Sequence, residues 1–581
     1  MDSSDEEGRG AFDVFGTVDD QIGQSDDENF ILSKRARLLL DQCYNDSDDD
    51  DHFHEQQNTD QFDDDDAADE YDVLNTPTLA EDQFETDDSD ASESGRGEYD
   101  ADEPDGCSGA DHHDDNAEGD SPVHPQKMPD KSKPKGRAKK RRAVWLEEAP
   151  ASVITKRRSV DIVKASPGPT PRARRAKSEL EAFSLFMSNV IITMIVVATN
   201  FQLMKLRKEG KNPPKFDLTD AMEIRCLIGL LLFRGLHRDI KNPTKELWYD
   251  TDGSRPLYRA CMSRDRFQVL MACLAFHDQN EIRREYATDR FARARRFLDE
   301  FENNCRKSYE HNTLVCLDET LRNHFSTTNC DFLVFMPDKP GQMGLFFYTL
   351  GDGVDRYFSR IIPKVKTAMT EREKKQNNYD IMMKITEDIV GTRRHLTADR
   401  GFSSVEIAEE LFEKKLTYCG TIMSNRTGLQ TRALDKNTLK AREINSTVFM
   451  WKKDSPVMFL SYIPKKNKNV LMISTEHNEP TISTDYRSKP EAVLFYNEQR
   501  CAVDVVNHMV KDCSSQSKTD SWAFAVFTFL IDVAGINAQT ILRHNLKKPK
   551  INRRAFLNSL IFLLLLLFCC GLRSGTRLQG R

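Results

Sequence analysis

The sequence predicts a multidomain α/β protein, with an all-α part ahead of the α/β core and a long disordered region before both. Three observations carry this expectation. Strand-like and helix-like segments alternate from Thr313 onward, only helical periodicity is found over 178–310, and charge is divided sharply along the chain.

The charge division comes first in the chain. Only 38% of the 581 residues are hydrophobic, below the ~45–50% of a typical globular protein. Residues 1–126 hold 42 acids against 5 bases, a net of −37, which leaves 51 acids and 78 bases on the other 455 residues, a net of +27. Acidic runs such as Asp48–Asp51 and Asp63–Asp66 offer little apolar surface to offset the entropy of ordering, so 1–126 is expected to be a disordered tail. A short amphipathic helix over Phe30–Leu40 is its one candidate element. The basic remainder points to a polyanionic partner. The opening MDSSDEEGRG has no secretory pattern, so the 13 cysteines are expected to be reduced. They include no C-x-x-C pair, and no zinc module is expected from them.

Residues 127–177 carry 17 bases against 4 acids, in the clusters Lys139–Arg142, Lys156–Arg158 and Arg172–Lys177. This reads as a basic linker with nuclear-localisation and nucleic-acid-tether character, the alternative being a solvated linker. Within 178–310 the apolar run Phe183–Val197 has a dense part of about 14 residues, short of the ~20 needed to span a bilayer. Helical patterns follow at Asp220–Gly235, Arg264–His277 and Arg290–Tyr309.

In the α/β part, strands are expected at Thr313–Leu317, Leu345–Leu350, Tyr357–Ile362, Arg394–Thr397 and Tyr418–Met423, with helices at Tyr379–Ile389 and Val405–Lys415. A β-rich stretch over Val448–Trp451, Val457–Tyr462 and Val470–Ser474 precedes helices at Tyr496–Val510 and Ser521–Arg543. These patterns divide the chain into a core made of 311–427 and 491–555, a β-rich insertion at 428–490 and an apolar tail at 556–581. The tail's run Phe556–Leu572 is about 17 apolar residues between Arg553-Arg554 and Arg573. It can be read as a buried helix, a tail from an altered reading frame, or a membrane anchor.

Three carboxylates stand out. Asp318 follows the apolar run ending at Leu317, Asp399 follows His395–Ala398, and Asp504 sits on the helix expected over 496–510, with Asn507 and His508 on the same face. Acids at strand ends face the cleft where α/β sheets bind ligands. An all-carboxylate set suits Mg²⁺ or Mn²⁺, and two such ions can activate water and stabilise the leaving oxygen of a phosphodiester. The other reading of a strand-end Asp is a turn or cap residue. Arg543, Lys547, Lys548, Lys550, Arg553 and Arg554, with no acid among them, form a stripe suited to phosphates or a solvated helix end.

Ordered motifs connect these features. They are Leu314–Glu319, Phe335–Pro340 with Gly344, Leu396–Ser404, Gly420–Ile422 with Asn425-Arg426, Tyr496-Asn497 with Val503-Asp504, and Asp532–Ala538. Over roughly 180–555 the chain resembles the piggyBac transposases and piggyBac transposable element-derived proteins. The resemblance implies a ribonuclease-H-like core with a β-rich insertion, preceded by a helical dimerisation and DNA-binding region. It implies that Asp318, Asp399 and Asp504 are catalytic metal ligands for Mg²⁺ or Mn²⁺, and that Lys339 and Arg400 contact DNA. The expected partners are double-stranded DNA and a second copy of the chain, with no small-molecule cofactor, in the nucleus. The chain departs from the family pattern at Asn323–Ser326, at Met343, at Cys501-Ala502 where a glycine pair is usual, and at Asn507 where an acid is usual. The expected function is therefore metal-dependent DNA cleavage and strand transfer. Its rivals are a domesticated DNA-binding protein without turnover and a tail-anchored membrane protein.

Overall fold

The computed structural model describes residues 143–573 apart from 151–165, 209–216, 250–254, 278–281, 327–329, 338, 340, 366–370, 430–435, 485–486, 518 and 549. The acidic tail 1–126, including Phe30–Leu40, and the clusters Lys139–Arg142 and Lys156–Arg158 lie outside the described residues.

The strands are β1 (Trp145–Leu146), β2 (Gly168–Pro169), β3 (Tyr309–Glu310), β4 (Leu314–Asn323), β5 (Val334–Phe335), β6 (Met343–Asp352), β7 (Phe358–Pro363), β8 (His395–Ala398), β9 (Thr417–Thr421), β10 (Thr447–Lys452), β11 (Met458–Lys465) and β12 (Lys468–Ser474). Ten of them form one sheet in the order β1-β10-β11-β12-β9-β8-β4-β6-β5, with β7 also paired to β6. Only β4, β8 and β9 run parallel to one another, and the other pairings are antiparallel. The strands expected as an insertion, β10 to β12, continue the same sheet by pairing β12 with β9.

The helices include α1 (Glu179–Ser184), α2 (Asn189–Lys208), α3 (Ala221–Leu236), α4 (Arg264–Cys273), α5 (Ala292–Ser308), α6 (Glu371–Thr386), α7 (Val405–Glu413), α8 (Glu491–Arg500), α9 (Ala502–Asp512), α10 (Trp522–Asn545) and α11 (Arg553–Arg573). Their starts follow local chemistry. Ser178 and Glu181 form a capping box at α1, Asp220 accepts from the Glu223 N–H at α3, and Ser404 accepts from the Ile407 N–H at α7.

Alternation along β4 organises what packs on each side of the sheet. Val315 and Leu317 point into the core formed with Met382 and Ile385 of α6 and Ala408 and Leu411 of α7. The even positions face α8, α9 and α10. Cys316 lies against the Arg500 carbonyl, Thr320 against Asn507, and Arg322 against Thr528 and Asp532. Helix α10 is the central apolar helix, and the apolar window in it is 94% buried. Its Asn537 holds β7 by accepting from the Phe358 N–H at 3.1 Å and donating to the Phe358 carbonyl at 2.8 Å.

Three expectations need correction here. The folded body reaches into the segment read as linker. Trp145 is buried, its ring meets Phe459 edge-on, its indole N–H donates to the Gly428 carbonyl at 2.9 Å, and β1 covers the open edge of β10. One Trp-Leu pair in a basic stretch shows no periodicity, which is why the sequence did not announce it. The Arg172–Lys177 cluster is likewise held on the body. Ala173 and Ala176 are buried, and the Asn545 side chain donates to both of their carbonyls at 2.8 Å. Third, the helix expected over 496–510 is two helices, α8 and α9, broken at Cys501.

The leucine-rich run is helix α11. Phe556, Leu557, Leu560, Ile561, Leu564, Leu565 and Phe568 are buried, and the helix lies on α3. The contact is close at Gly229, where a Cβ would come within 2.9 Å of Leu565 Cδ2 and 3.2 Å of Leu564 Cβ, so the Leu565 side chain would have to shift. Among the described residues, α2 and α10 are the helices long and apolar enough to cross a membrane by length and composition.

Candidate active site

Asp318 is not at a strand end. It lies in the middle of β4, because the ladder with β6 continues from Val315 through Asn323. The apolar run that marks β4 in the sequence stops at Leu317, and the polar half of the strand was invisible to a hydrophobicity pattern. Asp399 does sit just beyond the C-terminal end of β8. The parallel register places Leu317 beside Ala398, so Asp318 follows that pair within β4 and Asp399 follows it in the turn after β8. Asp504 is in the first turn of α9, exposed, where a helix N-terminus favours negative charge.

The carboxylates act on one another. Asp318 is half-buried, and burial pushes its carboxyl well above the ordinary carboxylate range. The nearby Asp504 charge pushes the same way, while the Glu319 N–H, which donates to Asp318 Oδ1 at 2.7 Å, and the Lys339 ammonium oppose them. On the other side of the strand Glu319 is raised by burial, opposed by Lys339 and pushed up further by Asp399. Asp399 itself accepts from the Thr421 hydroxyl at 3.0 Å. Its turn is pinned by Arg426, which donates to the Gly401 carbonyl at 2.6 Å, by Asn378, which donates to the same oxygen at 2.8 Å, and by the Ser403 hydroxyl, 3.2 Å from the Asp399 carbonyl. Beneath lies buried Tyr496, whose phenol is driven far above its ordinary value by burial and then by the Asp399 charge.

The donors are all oxygens, and repulsion between Asp318 and Asp504 is what a hard divalent cation relieves. In that chemical sense the set fits Mg²⁺ or Mn²⁺. Among the described residues, however, no three His, Cys, Asp or Glu side chains are grouped closely enough to hold an ion as they stand.

Sequence reasoning missed Glu319, Thr421 and Tyr496. Glu319 is adjacent to a chosen residue and could have been found by asking which acids neighbour Asp318. Thr421 and Tyr496 stood in the ordered motifs without a role, and their place at the site comes from strand register and helix packing.

The basic residues divide. Lys339 is half-buried and close enough to act on both Asp318 and Glu319. Arg400 is half-buried in the Asp399 turn, where its carbonyl accepts from Arg426 at 3.3 Å. The expected stripe is not one surface. Arg543 pairs with Asp355, and half-buried Arg553 donates to Gln539 Oε1 at 3.1 Å, whereas Lys547, Lys548, Lys550 and Arg554 are exposed.

A family profile described as Transposase IS4 matches residues 178–539, the span that contains all three aspartates. The chain belongs to the piggyBac transposase family. It is 22% identical over 394 residues to the human piggyBac transposable element-derived protein 2, a match covering 65% of this chain and 64% of that protein. The chain thus spans somewhat under two thirds of that relative's length. It is also similar to a solved piggyBac transposase in a synaptic complex with hairpin DNA, with a TM-score of 0.65 and 27% identity over 72% of this chain and 85% of that one. Within the piggyBac family match, the fold is a mixed α/β structure built on a large sheet.

Proposed function

We propose that this piggyBac-family chain is a transposase-derived protein that binds double-stranded DNA and cleaves and transfers its strands at Asp318, Asp399 and Asp504. One observation carries the proposal: the parallel register sets Leu317 of β4 against Ala398 of β8, the residues just before Asp318 and Asp399, and the Asp504 charge on α9 acts on Asp318. A ribonuclease-H-like core is part of the proposal, supported by the strand order β7-β6-β4-β8-β9 with β4, β8 and β9 parallel. Asp318 and Asp504, with Asp399, would hold Mg²⁺ or Mn²⁺, and a bound divalent cation supplies Lewis acidity and a more acidic water.

The chain's own residues set the rest. Thr421 orients the Asp399 carboxylate, the Arg426 and Asn378 contacts keep its turn rigid, and Lys339 places a positive charge where a phosphate would approach. Exposed Lys547, Lys548, Lys550 and Arg554 would meet the DNA backbone. A homodimer in the nucleus completes the proposal. The exposed apolar stripe Val190, Val197, Phe201 and Met204 on α2 supports the homodimer, and the clusters Lys139–Arg142 and Lys156–Arg158 support the nuclear location.

A second reading, DNA binding without turnover, is favoured by the departures from the family pattern at Cys501-Ala502 and Asn507. Excision of a reporter flanked by candidate transposon ends by the purified chain decides between them. Metal-dependent excision supports the first reading; DNA binding without any strand cleavage supports the second.

A further inference from the structure

Asn507 lies one turn after Asp504 on α9, and its amide is tied at both ends to β4. The Thr320 hydroxyl donates to Asn507 Oδ1 at 2.9 Å, and Asn507 Nδ2 donates to the Glu319 carbonyl at the longer distance of 3.5 Å. These are the two residues directly after Asp318. The Thr320 hydroxyl is also 3.1 Å from that of Thr349, which donates to the carbonyl of Asp318 itself at 3.1 Å. A chain of side chains therefore runs from α9 to the backbone carbonyls of Asp318 and Glu319.

The helix needs such a tie. The helical chain is interrupted at Cys501, and α9 packs on the body through buried Val503, Val506 and Val510. Apolar contacts resist separation far better than they resist small sliding or rotation, whereas a two-ended amide fixes register. A carboxylate at this position could still accept from Thr320. It would have no N–H for Glu319 and would face that carbonyl with a second oxygen. The Asn507 oxygen, for its part, is already engaged with β4.

We infer that Asn507 is a positioning residue that clamps α9 to β4 and thereby fixes Asp504 against Asp318, and that it is not a weakened metal ligand. This rests on the aspartate-site reading above. It predicts that Asn507→Asp, although it restores an acid, brings no gain.

The test is Mn²⁺-dependent nicking of plasmid DNA by the full chain under single-turnover conditions, with DNA affinity and Mn²⁺ binding by electron paramagnetic resonance measured alongside. Asn507→Ala is expected to lower the nicking rate by about 10- to 100-fold, the scale of a misplaced catalytic group, with DNA affinity unchanged. Thr320→Val should show the same loss, the double variant no more than either single, and Thr320→Ser, which keeps the hydroxyl, should recover most of the rate. If Asn507→Ala does not fold, the Thr320→Val and Thr320→Ser pair reads the clamp from the other strand. A faster Asn507→Asp, a normal rate in Asn507→Ala or Thr320→Val, or losses that simply multiply would overturn the clamp while leaving the aspartate site standing. An unmodified chain that neither binds Mn²⁺ nor nicks DNA would remove the site and the clamp together.

Discussion

Replacing Arg322 by methionine takes the cation out of a buried pair that joins β4 to α10. Arg322 is 5% exposed and Asp532 1%, and their closest atoms are 3.2 Å apart. Removing one partner of such a pair costs ~3–5 kcal/mol because the other charge stays buried. Here the lower end applies, since Asp532 keeps the Ser515 N–H at 3.1 Å and the Ser514 hydroxyl at 3.4 Å. At ~2–4 °C per kcal/mol, Tm should fall by roughly 6–12 °C.

The deficit should depend on pH. Burial raises the Asp532 carboxyl above its ordinary value even with Arg322 opposing, so without Arg322 it rises further. A carboxyl raised in the folded state binds its proton more tightly there than in the unfolded chain, so the cost is full above the folded pKa and shrinks as pH falls through it. Thermal unfolding of Arg322→Met at pH 7.5 and 5.5 should show the smaller loss at the lower pH. The double variant Arg322→Met/Asp532→Leu should recover most of the stability. An equal loss at both pH values, or a double variant no better than the single, would refute the buried-charge explanation.

Three further expectations concern other parts of the molecule. Trp145→Ala should cost ~3–5 kcal/mol and expose the β10 edge, read as earlier proteolysis near residues 143–150 and lower Tm. Asp355 is held below the ordinary carboxylate range despite burial by the His544, Tyr309 and Asn312 side chains. Its contribution is therefore present above the unfolded pKa of ~3.9 and lost as pH falls below it, and Asp355→Asn should flatten the acid limb of a stability profile between about pH 5 and 2. Leu560→Ala, at a fully buried position of α11, should destabilise by ~2–5 kcal/mol; unchanged stability would mean that α11 does not pack on the body in solution.

How much of this was legible in the sequence depended on the type of signal. Strands built around long apolar runs, such as β6 and β11, were placed within two or three residues. β4 was cut to half its length because Asp318, Glu319, Arg322 and Asn323 serve the site and the α10 pair where a pattern search expects apolar residues. The break at Cys501 was hidden because no proline or glycine marks it. The three aspartates could be chosen from motif order, but their relation could not. It comes from the parallel pairing of β4 with β8 and from Asn507, a contact between residues 187 positions apart. The basic stripe failed for the opposite reason, since a run of like charges says nothing about which members turn inward to Asp355 and Gln539.

The most direct measurement of the central claim is metal-dependent DNA nicking by the unmodified chain and by Asp318→Asn, Asp399→Asn and Asp504→Asn, each at the same protein, DNA and Mn²⁺ concentrations. The account predicts nicking that is abolished by chelator and reduced by roughly a hundredfold or more in every variant, with folding and DNA affinity preserved. Nicking that survives in any one of the three variants, or DNA binding with no cleavage under any divalent metal, would contradict it.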